Sequence, residues 1–203
     1  MRPAKNIDEQ VLKAIAEKIA AGDQPAFRLL FDYFAARLTE FARAILKSKE
    51  AATEVVDDVL VKVWKNRETL PLVGNIRVYL YTATKNTALN YLSCRAREVI
   101  TEPFDHISIQ LQDDQSPEQQ MITEEILRKI HTAVDDLPPR CKMIFKLVRE
   151  DGLKYKEVAE ILKISVNTVD AQMVIAVKKI SEAVKGYFNR VPGLTLKKSK
   201  NFS

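Results

Sequence analysis

Residues suited to covalent chemistry are few in this chain of 203 residues and are nowhere gathered. His106 and His131 stand apart, and Cys94 and Cys141 lack metal-ligand spacing. Both thiols are therefore expected to be reduced, with no metal, no other cofactor and no small-molecule substrate. What the chain does gather is the chemistry of recognition. Between Leu137 and Gly186 ten Lys and Arg stand against six acids, and side-chain amides are set among them. Asn167 and Gln172 suit bidentate pairing with adenine edges, with Thr168 beside them. Arg140, Lys154, Lys156, Lys178 and Lys179 suit phosphates, contacts that set register without reading sequence.

Such groups must be held by helices. Val158, Ala159 and Leu162 share one face of a first helix, and Ile164-Ser165 makes a turn. Ser165 or Asn167 can cap a second helix, along which Val169, Met173, Ala176, Val177 and Ile180 repeat at helical spacing. Its outer face then carries Asn167, Thr168, Asp170, Gln172, Ile175 and Lys179. This is the pattern of a helix-turn-helix with a presented recognition helix. An ordinary helical hairpin inside a bundle satisfies the same spacing.

The rest of the chain also reads as helix. Apolar residues make up 46% and there are only five glycines, a composition for helical cores rather than for turn-rich sheets. Val11, Leu12, Ile15, Ala16 and Ile19 stripe a first helix over 7–20, which Gly22 stops. Asp23 caps a longer helix with Pro25 in its first turn, carrying Phe27, Leu30, Phe34, Leu38, Phe41 and Ile45. Over 51–66 the valine-rich run Val55, Val56, Val59, Leu60, Val63 and Trp64 keeps a helical period, and Asp57-Asp58 would break a buried strand. A loop over 66–75 follows, and Asn75 can cap a helix over 76–95. That helix should bury Ile76, Leu80, Ala83, Thr87 and Tyr91. Arg77, Tyr81, Lys85, Ala88, Leu92 and Arg95 then fall on an outer, basic and partly aromatic stripe suited to a nucleic-acid strand.

Residues 99–117 hold acids but no Lys or Arg, and read as a flexible linker. The expected architecture is therefore all-α, with two small helical domains over 23–98 and 118–188. An N-terminal helix over 1–22 precedes them and a basic tail over 189–203 follows. A net charge of +5 favours a polyanionic partner. The lack of a long apolar run or a signal peptide points to a soluble, cytoplasmic protein.

Four motifs in order resemble the extracytoplasmic-function sigma factors of bacterial RNA polymerase, over roughly 23–186. They are Gly22-Asp23 with Ala26-Phe27, the run Ala52 to Trp64, the run Val78 to Leu92, and Leu137-Pro-Pro-Arg140 with the helix-turn-helix. The resemblance implies a transcription initiation factor that does no covalent chemistry. Glu54, Asp57, Asp58, Lys62 and Trp64 would dock on the clamp helices of core RNA polymerase. Asn66, Asn75, Arg77, Tyr81, Lys85, Asn86 and Arg95 would hold promoter DNA at the minus-10 element, with a flipped base in the 66–75 loop. Lys154, Lys156, Asn167, Thr168, Gln172, Lys178 and Lys179 would serve the minus-35 element. A membrane-anchored anti-sigma factor is a further implied partner. The Val-Asp-Ala-Gln-Met run is similar to that of the Bacteroides-type branch.

Two departures stand out. Lys163 occupies a turn position where the family often has Gly, and Asp170-Ala171 replaces residues that are often basic or Ser. Other classes fit less of the chain. A conventional helix-turn-helix regulator leaves the 52–86 motifs without a role. An enzyme would need Glu54, Asp57 and Asp58 to hold a metal, with no matching cluster elsewhere. A helical adaptor that no longer binds DNA draws only on Asp170.

Overall fold

A computed structural model describes residues 7–98 and 121–188; the side chains of 95–98, 121–127 and 186–188 lie outside the description. Among the described residues all regular structure is helical. The expected linker over 99–117 and the basic tail lie outside the described residues, as does the side chain of Arg95.

Local signals position the first helices. Asp8 caps α1 (Glu9–Ala20), which buries Leu12, Ala16 and Ile19 and leaves Val11 half exposed. Gly22 then turns the chain at φ +87°, a conformation that suits a residue without Cβ. Asp23 Oδ1 accepts the Ala26 N–H to start α2 (Gln24–Leu46) with Pro25 in its first turn. Along α2 the buried stripe is Leu30, Phe34, Leu38 and Phe41, ending on Leu46 rather than on the expected Ile45.

Ser48 caps α3 (Lys49–Lys65), two residues before the expected start. Four valines and Leu60 lie buried on α3, each side chain contributing about 1.5–3 kcal/mol. That outweighs the roughly 0.5 kcal/mol by which valine is a poorer helix former than alanine. The expected loop over 66–75 contains a 3-10 helix, Arg67–Leu72, anchored by buried Leu70. Asn75 Oδ1 accepts the Val78 N–H and opens α4 (Ile76–Glu98).

Beyond the linker come α5 (Met121–Asp135), α6 (Pro139–Arg149), α7 (Tyr155–Leu162) and α8 (Val166–Phe188). The described residues gather into two compact units that do not follow chain order. The first comprises 7–98 with 146–169, and the second 121–145 with 170–188. In the first, α2 packs on α3 and α4, α1 packs on the 3-10 helix, and α4 packs on α7. Phe34, Leu38, Leu60, Leu80, Tyr81 and Ile161 are among its fully buried side chains. In the second, Leu137, Cys141 and Ala176 form the core with Phe145 against it. There the Cys141 thiol donates to the Gln172 carbonyl at 3.2 Å, and burial pushes that thiol above its ordinary pKa.

Helix α4 corrects the sequence reading. Tyr81, Lys85 and Ala88, placed on the outer stripe, are 1%, 9% and 0% exposed, whereas Ala83, Thr87 and Tyr91 are only half buried. A 100° wheel finds one packing seam, but α4 has two, one against α2 and α3 and another against α7. Lys85 enters the second seam, where its ammonium reaches the Ile161 carbonyl, while Tyr81 turns back to the first, its ring 5.2 Å from that of Phe41 on α2.

Candidate nucleic-acid and polymerase interfaces

On α3 the spacing that buries the valines turns every acid outward. Glu54, Asp57 and Asp58 are exposed and, with Lys49, Glu50 and Thr53, line one open surface. Lys62 is exposed further along, and Val61 beside it is 50% exposed. Trp64 is half buried: its ring meets Phe27 at 5.0 Å between centroids, and the Arg67 guanidinium lies 5.1 Å from the ring centre. Phe27, Phe31 and Trp64 line a second open cavity of about 550 Å³. The helix thus presents a negative strip ending in an aromatic corner, a surface that repels a polyanion. Among the described residues no group of three His, Cys, Asp or Glu stands where it would hold a metal ion.

The residues expected at the minus-10 element divide. Asn66 is exposed at the C-terminus of α3. Asn86 is exposed and, with Asn75, Tyr79 and Thr82, lines a cavity of about 550 Å³ beside the 66–75 segment. Arg77 is engaged locally, donating to the Ile7 carbonyl just before α1. Asn75 donates through Nδ2 to Glu157 Oε1 at 2.8 Å, and Lys85 Nζ donates to the Ile161 carbonyl at 2.6 Å. Burial first, and then the Lys163 ammonium, hold Lys85 below the ordinary lysine pKa. The Tyr81 hydroxyl is buried and no hydrogen bond of proper geometry reaches it. Burial raises its pKa, and the Asp151 carboxyl adds to the effect from close range. We read that pair as an electrostatic contact.

Sequence reasoning missed Glu157, Ile161 and Asp151 as partners of α4. Glu157 carried one local signal: its Oε2 accepts the Lys154 N–H at 2.7 Å, the reach-back acid of a helix start.

At the helix-turn-helix the turn and its cap follow the sequence reading, and the apolar faces follow it in part. Lys163 ends α7 at φ 54°, ψ 52°, so lysine does occupy a left-handed turn position. Ser165 caps α8: its hydroxyl accepts the Thr168 N–H at 3.0 Å and meets the Thr168 hydroxyl at 2.8 Å. The buried face of α7 is Val158, Ala159 and Ile161, with Leu162 only half buried. On α8, Val169, Met173 and Ala176 are buried, while Val177, expected inside, is 43% exposed. Lys154, Lys156, Asn167, Lys178 and Lys179 are exposed, and Thr168 and Gln172 are half buried. An exposed row of amide, hydroxyl and ammonium groups on and around a capped helix can meet base edges and phosphates.

Comparison with known proteins adds lineage to this geometry. Residues 30–98 match the model for Sigma-70 region 2, and residues 127–180 the model for Sigma-70, region 4. The ECF RNA polymerase sigma-E factor of Escherichia coli K12 is 26% identical over 194 residues, covering 92% of this chain and all of the relative. Its counterpart from Haemophilus influenzae is 25% identical over 180 residues, covering 85% and 95%. Among solved structures, RpoE from Bartonella quintana in complex with the anti-sigma factor NepR aligns over 78% of this chain and 96% of its own, with a TM-score of 0.56. CnrH in complex with the cytosolic domain of CnrY aligns over 86% and 97%, with a TM-score of 0.53. Both are 19% identical, a likeness of fold.

Proposed function

The chain belongs to the extracytoplasmic-function group of the sigma-70 family and is an alternative transcription initiation factor, and on that premise we propose how its residues divide the work. The function itself is carried by one observation, the succession of a region 2 match and a region 4 match along a chain that its curated relatives cover almost end to end. A conventional helix-turn-helix regulator would leave the match over 30–98 idle.

In this reading the work over 23–98 is docking and minus-10 capture. The strip Glu54, Asp57, Asp58 and Lys62, with Trp64 at its end, faces the clamp helices of core RNA polymerase. Asn66, Asn75, Arg77, Asn86 and Arg95 take the separated strand, and the buried Tyr81 and Lys85 support that face from behind. The cavity beside Asn75 and Asn86 is large enough for a flipped base. The work over 118–188 is minus-35 binding, by Asn167, Thr168 and Gln172 at base edges and Lys154, Lys156, Lys178 and Lys179 at phosphates. The protein performs no covalent step of its own and works in the cytoplasm; no described helix is long and apolar enough to cross a membrane. The solved relatives are held by CnrY and NepR, and by likeness a membrane-anchored anti-sigma factor holds this one. The Bacteroides-type branch remains our placement within the group.

Two DNA sites on one chain gain avidity only when their separation is fixed, which docking on polymerase would do. A gel shift on one promoter fragment tests the reading. Holoenzyme should bind at least about tenfold more tightly than the free chain. Equal affinity, or failure to co-purify with core polymerase, would contradict it.

A further inference from the structure

Several apolar side chains of α8 stay in solvent, and Val174, at 60%, is the most exposed of them. Its place on the helix is specific. The buried side of α8 is Val169, Met173 and Ala176. At about 100° per residue, Asn167, Ala171, Val174 and Lys178 fall within a sector of roughly 60° directly opposite that side. All four are exposed. Thr168 and Gln172 are half buried and lie to one side of the sector, toward the core. Val177, 43% exposed, lies to the other side.

A recognition helix meets base edges with the N-terminal part of its outer face. On α8 that part holds no cation, because the first Lys or Arg of the helix is Lys178. The bidentate contact by which Arg or Lys reads guanine is therefore absent before Lys178. What stands there is the amide of Asn167, the carboxylate of Asp170 and the apolar pair Ala171 and Val174. An apolar side chain in the major groove finds one apolar feature to cover, the 5-methyl of thymine, which no other base carries. Ala171 has no atom beyond Cβ, so the helix can approach the base edges closely enough for Val174 to reach one.

We propose that Ala171 and Val174 form a thymine-methyl reader at the centre of the recognition helix, so that the minus-35 element is recognised in part through its thymines. The inference rests on the minus-35 role given to α8 above. It also gives the Asp170-Ala171 departure a chemical sense, since the small apolar residue belongs to the reader. Covering one methyl group should contribute about fourfold to affinity. Lys178 and Lys179 add phosphate contacts that set register without reading sequence.

Deoxyuridine tests this, because it lacks only the 5-methyl of thymine and pairs with adenine in the same way. The probe is a promoter fragment that holoenzyme transcribes, with minus-35 thymines replaced one at a time on each strand. Wild-type holoenzyme should lose about fourfold in affinity at one or two positions. Holoenzyme carrying Val174→Ala should bind the unmodified fragment several-fold more weakly and be indifferent to deoxyuridine at one of those positions. Val177→Ala, exposed but outside the sector, should keep the whole penalty. Each comparison sets modified against unmodified DNA for the same protein, so a change in the folded fraction cancels. Replacement without effect at every thymine, or a penalty that Val174→Ala leaves intact throughout, overturns the proposal, while transcription from the unmodified fragment keeps the sigma-factor reading standing. If no fragment gives a core-dependent transcript, the sigma-factor reading fails first and the methyl reader falls with it.

Discussion

Asp151 shows how one carboxyl reports on its packing. Burial, the largest influence, lifts it to about 6, with Glu150 adding, while Tyr81, Arg37 and Lys146 pull it down. A carboxyl whose folded pKa lies above its unfolded one is destabilising when ionised. Its penalty is absent below about pH 4 and complete above about pH 6. Asp151→Asn should therefore match wild type in urea unfolding at pH 4 and exceed it by about 1–2 kcal/mol at pH 7.5. A difference that does not change with pH would show that Asp151 titrates normally. Residue order alone does not point to Asp151, because Arg37 and Tyr81 lie far along the chain and no local pattern joins them. Surface residues on α3 divide differently. Asp57→Lys should leave thermal unfolding unchanged and weaken capture of core polymerase about tenfold, more at low salt. Trp64→Ala should lose both, with roughly 1–3 kcal/mol of stability gone with the Phe27 contact.

At the scale of elements the turn between α7 and α8 carries a measurable strain. Lys163 holds a left-handed conformation at φ 54°, and its ammonium also opposes that of Lys85. Lys163→Gly should relieve both and raise stability by about 1 kcal/mol, read as a melting temperature about 2–4 °C higher. A lower melting temperature would mean that the lysine stem contributes packing that outweighs the strain. The caps and this turn were legible because they are local: Asp23, Asn75 and Ser165 each bond an N–H within three residues. Helix α4 was not, because its second seam is formed by α7, and a periodicity computed along one helix carries no trace of a distant neighbour. Helix α3 was legible despite its valines because the burial of one face, not propensity, decides its conformation.

Across the whole molecule, the order of the parts was more legible than their contacts. The acidic face of α3 and the amide-bearing outer face of α8 follow from residue type and spacing, and the regions they belong to from the family resemblance; the engagement of Asn75 and Lys85 by α7 required coordinates. That difference is physical. Matching a region depends on many weak positional preferences added along the chain, whereas a hydrogen bond between α4 and α7 depends on one alignment in space. The central claim, that this chain gives core RNA polymerase promoter specificity, is tested most directly by run-off transcription on sheared genomic DNA. Core polymerase with this protein should yield discrete transcripts from a limited set of promoters, and core alone should not. An identical transcript pattern with and without the protein would contradict the account.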